Sequence, residues 1–397
     1  MRWGFIILLG CASGLSAFGM ASVVPMLPLL GRTLGVDFAS VQFVVSAYLL
    51  GLGLFQPIQG LLCDRFGRRP VLLAGFLVFA IGSVSAALVG SLAALIAARF
   101  LQAAGVSVAT VVSRAIVRDS FEPEPAAMAL AFISAVMGIA PVIAPLAGGL
   151  VSSQWGWQAV FWLHATIAAL LWIWMALRLR ETRPAETALL SLRQLLRGFA
   201  VLLRERSFMG YSLTYAFVSG AAFVFVTVGA ALFERLFRMT PVRFGLLWAG
   251  LALSYTVGAA TAGSLARRHG SARVLRLGIR LEILAAGLLL ISASTFAPYL
   301  PLYLLALALL MCGNGLVSPL ALAGAVSGNP ELAGVASGLS SALAMLVSML
   351  CAMVSGLLFN GEPLRVAVPL ALCCGIALLM SHIAVAAAPR ARQRRAT

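Results

Sequence analysis

Twelve apolar runs, each close to the length an α-helix needs to cross a bilayer, fill most of this sequence. They fall near 4–30, 41–63, 71–90, 92–117, 126–151, 159–178, 208–232, 242–266, 274–294, 300–324, 334–358 and 365–387. A helix rises about 1.5 Å per residue, so roughly 20 apolar residues cover the hydrocarbon layer. No water reaches that layer, so backbone groups must bond within the segment, and helices satisfy this. The expected fold class is therefore an all-α membrane protein of twelve transmembrane helices. Charge content agrees: only 10% of residues are charged, against roughly 25% in soluble domains. The opening Met1-Arg2-Trp3 and its apolar run resemble a signal peptide. The run lacks a cleavage site and continues to about Leu30, which reads as a first span.

The net charge of +16 comes entirely from arginine, since none of the 28 basic residues is lysine. In a soluble chain such a charge points to nucleic acid. Here it reads as loop arginine facing anionic lipid, so the expected partners are the bilayer and a small molecule, with no nucleic acid, and a monomeric state. If the chain starts inside, 20 of the 28 arginines fall in cytoplasmic segments. Arg99, Arg114 and Arg280 fall within spans, and Arg32, Arg235, Arg238, Arg243 and Arg365 fall outside. This skew puts both termini in the cytoplasm. Arg390, Arg392, Arg394 and Arg395 then form a basic tail that anchors the topology. The longest hydrophilic stretch separates the sixth and seventh runs. It divides the chain into an N-terminal bundle at 1–178, a linker at 179–207 and a C-terminal bundle at 208–397. An amphipathic helix lying on the membrane surface is expected within the linker.

The polar turn from Gly60 to Arg69 joins the second and third runs. Gly67 suits a tight turn, and Gly60 suits close helix packing. Asp64 stands at the end of a helix, where the dipole disfavours a carboxylate unless a cation or another helix N-terminus answers it. Arg65, Arg68 and Arg69 are the candidate cations, which makes the turn a charged latch. Gly60, Arg65 and Gly67 recur as Gly263, Arg268 and Gly270 at a constant offset of 203. With the central linker, the repeat argues for two six-helix halves. Arg267 stands where the first copy has Asp64.

Within the spans, Arg99 is costly unless it faces a polar cavity or a partner, or reaches the outer interface. Gln102 shares its helical face. Glu282 is the carboxylate well inside a predicted span. It either carries a proton or pairs with Arg276, Arg280 or a neighbouring helix. His164 and His382 lie near span ends, where an interfacial placement is expected. Pro141 and Pro145 remove backbone donors from the fifth span, and Gly138, Gly148 and Gly149 permit close packing, so a kinked and tightly packed helix is expected. Tyr48, Met137, Tyr215, Phe223, Phe225, Tyr255 and Asn314 are candidates to line an apolar substrate pocket, each set against an ordinary place in the core or lipid. The six cysteines, Cys11, Cys63, Cys312, Cys351, Cys373 and Cys374, show no metal-ligand spacing and read as free thiols. No metal, no cofactor and no enzyme chemistry is expected, and no phosphate-binding loop for ATP hydrolysis is present.

Several stretches together resemble the major facilitator superfamily. They are the G-x-x-x-D-R-x-G-R-R turn (Gly60, Asp64, Arg65, Gly67, Arg68, Arg69) and Arg99-Phe100-Leu101-Gln102-Ala103-Ala104-Gly105. The fifth-span motif from Gly138 to Gly149 is similar to that of the family's proton-coupled antiporters. Arg118-Asp119, Trp155-Gly156-Trp157-Gln158 and Glu181-Thr182-Arg183-Pro184 resemble the drug-exporting Bcr/CflA branch, which includes chloramphenicol and florfenicol exporters. The resemblance implies an inner-membrane drug:H+ antiporter working by alternating access between two six-helix bundles, with the proton as coupling ion. It also implies that the fifth-span motif limits leakage, and that Arg99 acts on substrate or on a proton-carrying group. Ala21 stands where many relatives carry a first-helix aspartate. That departure keeps an exporter of an amino acid, nucleoside or siderophore as an alternative, and a transport-inactive membrane sensor as another.

Overall fold

The computed structural model describes residues 3–183, 192–294, 299–328 and 330–393. Arg2, Pro184, Glu186, Arg394 and Arg395 lie outside them. Among the described residues every regular element is a helix. In chain order these are α1 (Trp3–Ala21), α2 (Leu27–Leu34), α3 (Phe38–Val41), α4 (Phe43–Phe66), α5 (Arg68–Leu88), α6 (Leu92–Ser120), α7 (Pro123–Trp155) and α8 (Trp157–Arg178). Then come α9 (Leu192–Arg204), α10 (Arg206–Phe237), α11 (Pro241–His269), α12 (Ser271–Ser294), α13 (Leu300–Ser327), α14 (Ala333–Leu358) and α15 (Leu364–Gln393). Eleven candidate spans, with α1–α2 and α3–α4 each counted as one, are long and apolar enough to cross a membrane. The expected twelfth, α12, carries Arg273, Arg276, Arg280 and Glu282 and is not among these eleven. Its 24 residues would extend about 36 Å, enough by length to complete the set.

The ends of the helices differ from the ends of the apolar runs. The first run is not one helix to residue 30. It stops at Ala21 and turns through a 3₁₀ segment at Val24–Met26 before α2 resumes. Pro25 and Pro28 lack the N–H groups that would carry an α-helix through this stretch. Elsewhere the helices outrun the apolar residues, as α6 does in reaching Ser120 past Arg114 and Arg118. Outside hydrocarbon a helix needs no apolar side chains and stops only where its backbone is turned. Gly67 does this between α4 and α5, at φ 98°, and Gly270 does it between α11 and α12, at φ 86°. Both conformations lie where a Cβ is penalised. The two glycines are the repeated pair 203 residues apart.

The chain forms two compact units. One comprises Met1–Leu192 with Thr240–Ala249, and the other comprises Arg193–Met239 with Gly250–Thr397. The stretch at 179–207 is thus not a body of its own. Glu181 and Arg183 belong with the first unit, whereas α9 packs in the second, where Leu202 joins a cluster with Phe208, Ala325, Ala336 and Leu339. The first ten residues of the 240–269 region also go with the first unit.

Glycines set the closest helix contacts in both units, as expected where lipid gives no hydrophobic drive for association. In the first unit a Cβ on Gly105 would lie 2.5 Å from the Gly75 carbonyl oxygen and 2.5 Å from the Phe79 nitrogen. In the second unit a Cβ on Gly313 would lie 2.7 Å from the Gly278 oxygen and 2.8 Å from Glu282 Cγ. Gly75 and Gly278 are again 203 apart, and so are Phe79 and Glu282. The repeat thus extends from the turn into the packing of each half. At one equivalent position the first half keeps a phenylalanine and the second an acid.

Candidate functional site

The turn at Gly67 is a single residue, so α4 hands over directly to α5. Asp64 lies in the last turn of α4, and Arg68 in the first turn of α5. Arg68 Nη1 meets Asp64 Oδ1 at 2.5 Å, and Arg68 Nε meets Asp119 Oδ2 at 3.1 Å. The guanidinium is nearly buried between these two carboxylates. The free N–H groups at the start of α5 are answered by Glu181, not by Asp64. Its carboxylate accepts from the backbone N–H groups of Arg68 (2.9 Å) and Arg69 (3.1 Å), and from those of Thr182 and Arg183 (2.9 Å each). Partial burial raises the Glu181 carboxyl, but these backbone donors outweigh it and hold the group below its ordinary value. Arg183 Nη1 donates to the carbonyls of Asp64 (3.0 Å) and Arg65 (2.8 Å), the exposed carbonyl end of α4. A Cβ on Gly67 would stand 2.5 Å from Glu181 Oε2, so the turn needs glycine for space as well as for φ.

This geometry corrects the sequence reading of the latch. Of the three candidate cations only Arg68 bonds Asp64. Arg65 is exposed, with its guanidinium 5.4 Å from the Phe66 ring centre, and Arg69 Nη2 donates to the Ala176 carbonyl at 2.9 Å. Gly60 seats no neighbouring helix, because a Cβ there would meet nothing within 4 Å. Asp119, Glu181 and Arg183 complete the cluster, although the sequence singled them out only as parts of family-like stretches. Their partners lie 51 to 119 residues away, a pairing that local pattern does not reveal.

A second polar cluster lies inside the first unit. Arg99 on α6 is wholly buried, which excludes a reach to the outer interface. Its Nη1 donates to the Gly19 carbonyl (3.0 Å) in the last turn of α1 and to Gln102 Oε1 (2.9 Å), and its Nε donates to the Val44 carbonyl (3.4 Å). The guanidinium carbon sits 4.1 Å from the centre of the Tyr48 ring, a cation–π contact in a dry surround. Tyr48 is therefore a wall for Arg99 and not a free pocket residue. Its hydroxyl donates to the Ser16 carbonyl at 2.9 Å. Gln102 Nε2 donates to Ser83 Oγ (2.7 Å), which donates to the Phe79 carbonyl (2.7 Å). Arg99 Nη2 has no hydrogen-bond partner, and no carboxylate pairs with Arg99 among the described residues.

His164 overturns its expected interfacial placement. It is fully buried, with Nε2 2.7 Å from Ser22 Oγ and its ring set among Phe18, Phe79 and Phe161. The same Phe161 ring lies 5.9 Å from the Arg99 guanidinium, so the histidine and the arginine share one aromatic wall. Only folding brings residues 22, 99 and 164 together. His382 is exposed.

The fifth-span motif lies on α7, which runs unbroken through Pro141 and Pro145. Its glycines do the close packing. A Cβ on Gly148 would clash with the Ser22 carbonyl, and one on Gly149 would lie 2.7 Å from the Pro241 carbonyl. Gly245 returns the contact, since a Cβ there would meet the Pro145 carbonyl at 2.7 Å. Met137 and Gly138 are half-buried on the same helix.

In the second unit Glu282 is fully buried, and neither carboxyl oxygen has a hydrogen-bond partner. Pairing with Arg276 or Arg280 is excluded, because both arginines are exposed and neither forms an ion pair with it. Glu282 faces Gly313 on α13. Cys351 Sγ is 3.5 Å from Cys373 Sγ, and all six cysteines are free. Asn314 is already satisfied at both ends: its Nδ2 donates to the Val218 carbonyl (3.0 Å), and its Oδ1 accepts from Ser318 Oγ (2.8 Å). The Tyr255 hydroxyl also bonds Ser318. Phe225 is buried edge-on to Phe233, with ring centres 5.7 Å apart, and it also lines a small apolar cavity with Leu232, Leu289 and Tyr303. Tyr215 and Phe223 are half-buried, and Tyr215 packs on the core of Val218, Leu275 and Ile279. Among the described residues no group of three or more His, Cys, Asp or Glu side chains could hold a metal.

Comparison with known proteins concerns the chain as a whole. Residues 9–352 match the family model of the Major Facilitator Superfamily. A chloramphenicol resistance protein of Pseudomonas aeruginosa is 32% identical over 72% of this chain and 68% of its own. Multidrug resistance protein D of Escherichia coli is 30% identical over 84% of each chain. Among solved structures, a D-xylose–proton symporter superposes with a TM-score of 0.76, covering 95% of this chain and 97% of its own, at 14% identity.

Proposed function

The chain belongs to the Major Facilitator Superfamily, and on that premise we propose that it exports small amphipathic drugs from the cytoplasm in exchange for protons. The proposal includes an inner-membrane location with both termini cytoplasmic, alternating access between the two units, and no cofactor beyond the coupling proton. The drug-resistance names of relatives at 30% and 32% identity support the substrate class. The buried Arg99 cluster offers a fixed positive group that an electronegative substrate or a proton carrier can answer. The Asp64–Arg68–Asp119 and Glu181 contacts act as the latch that biases one access state over the other.

The observation that carries proton coupling is Glu282. A carboxylate stripped of water and of partners costs several kcal/mol in such a surround. The group therefore holds a proton in this state and releases it only where water or a cation reaches it. With Ala21 in the first helix, Glu282 is the acid placed to make that exchange.

The test uses a host lacking its own drug pumps, together with purified protein. Wild type is expected to confer resistance to a phenicol and to release protons when the drug is added. Glu282→Gln is expected to keep drug binding, to release no protons and to lose transport driven by a pH gradient. Normal gradient-driven export by Glu282→Gln would remove Glu282 from coupling. Absence of resistance at confirmed membrane expression would instead point to a metabolite.

A further inference from the structure

We propose that the exposed side of α9 binds the headgroups of anionic phospholipids. The inference concerns a surface apart from the transport path and holds whichever solute is carried.

α9 has three faces. One is seated on the second unit through Leu195, Gly198 and Leu202. A Cβ on Gly198 would lie 3.2 Å from Val335, and Leu202 packs with Phe208, Ala325 and Ala336. Those residues mark the start of α10, the end of α13 and the start of α14. The helix therefore lies at the ends of three spans, at the depth where headgroups begin.

The second face carries Arg193, Arg197 and Arg204. At about 100° per residue these three fall within roughly a 40° arc. All are exposed, and none makes a hydrogen bond or ion pair among the described residues. α9 contains no acidic residue.

Between these faces lies a third, with Leu196, Ala200 and Leu203 exposed in a neighbouring arc of roughly 60°. Leucine facing water gains nothing, and a free-standing basic face needs no leucine beside it. A row of arginines flanked by exposed leucines fits a surface that is anionic above and apolar below. Anionic phospholipid supplies both, with phosphate for the guanidinium forks and acyl chain for the leucines. Soluble phosphate satisfies only the first. An arginine near an anionic surface strengthens binding roughly fivefold, so three together give on the order of a hundredfold.

The experiment uses the full chain in detergent micelles, titrated with short-chain phosphatidylglycerol or phosphatidylcholine and read by native mass spectrometry. Wild type is expected to bind phosphatidylglycerol in preference to phosphatidylcholine, with binding that weakens as salt rises. Arg193→Gln, Arg197→Gln and Arg204→Gln together are expected to weaken phosphatidylglycerol on the order of a hundredfold and leave phosphatidylcholine unchanged. The three matching lysine substitutions keep the preference and control for folding, and Leu196→Gln with Leu203→Gln tests the apolar face separately. Undiminished phosphatidylglycerol binding by the triple glutamine variant would overturn the proposal. So would equal binding of the two lipids by wild type, or a two-copy mass that the glutamine variant loses, which would give the face to a second copy of the chain.

Discussion

Replacing Glu181 tests the latch most directly, because a single carboxylate there answers four backbone donors. Glu181→Gln keeps the shape and removes the charge. In an exposed setting water replaces part of each bond, so the low end of charge-assisted values applies, and the helix N-terminus adds its own preference for an anion. The expected loss is about 1.5–3 kcal/mol of stability in the first unit. For a body of this size that is a fall of roughly 3–12 °C in Tm. The pH dependence has a fixed sign. The folded carboxyl is held below its ordinary value of 4.5, so its contribution is complete above that value and is lost as pH falls through the lower folded value. Thermal unfolding of purified wild type and Glu181→Gln in detergent at neutral and acid pH reads both effects. The two proteins should differ at pH 7 and converge as the pH falls through the lowered folded value. Equal Tm at pH 7, or a gap that persists unchanged in acid, would refute the reasoning that Glu181 caps α5 as an anion.

Asp64→Ala leaves the Arg68 guanidinium with Asp119 as its one remaining carboxylate. It should abolish drug resistance while membrane abundance, read by immunoblot, stays near wild type. Arg99→Lys should behave nearly as Arg99→Ala in resistance assays, because an ammonium cannot bridge the Gly19, Gln102 and Val44 acceptors while stacking on Tyr48. Gly148→Ala forces a methyl into the Ser22 carbonyl, backbone against backbone, and should cost about 1–3 kcal/mol, seen as a lower Tm and reduced yield. A Gly60→Ala control, where no atom lies within 4 Å, should leave both unchanged.

The sequence by itself determined the class of fold, because crossing hydrocarbon imposes a length, an apolarity and a helical backbone that can be read residue by residue. It also pointed to the two-fold repeat, since Gly67 and Gly270 recur 203 residues apart and a tight turn favours glycine in each half. It picked out Asp64, Arg99 and Glu282, because an ionised group in or beside a greasy segment needs an explanation wherever it stands. Only the tertiary structure decided what those groups meet. Glu181 caps a helix that begins 113 residues earlier, His164 enters the wall around Arg99 from another span, and Glu282 pairs with no arginine although three sit on its own helix. The reason is physical. Burial in a membrane helix follows a local period that composition betrays. The partner of a buried charge is whatever side chain the packing of other helices delivers, and no local pattern carries that information.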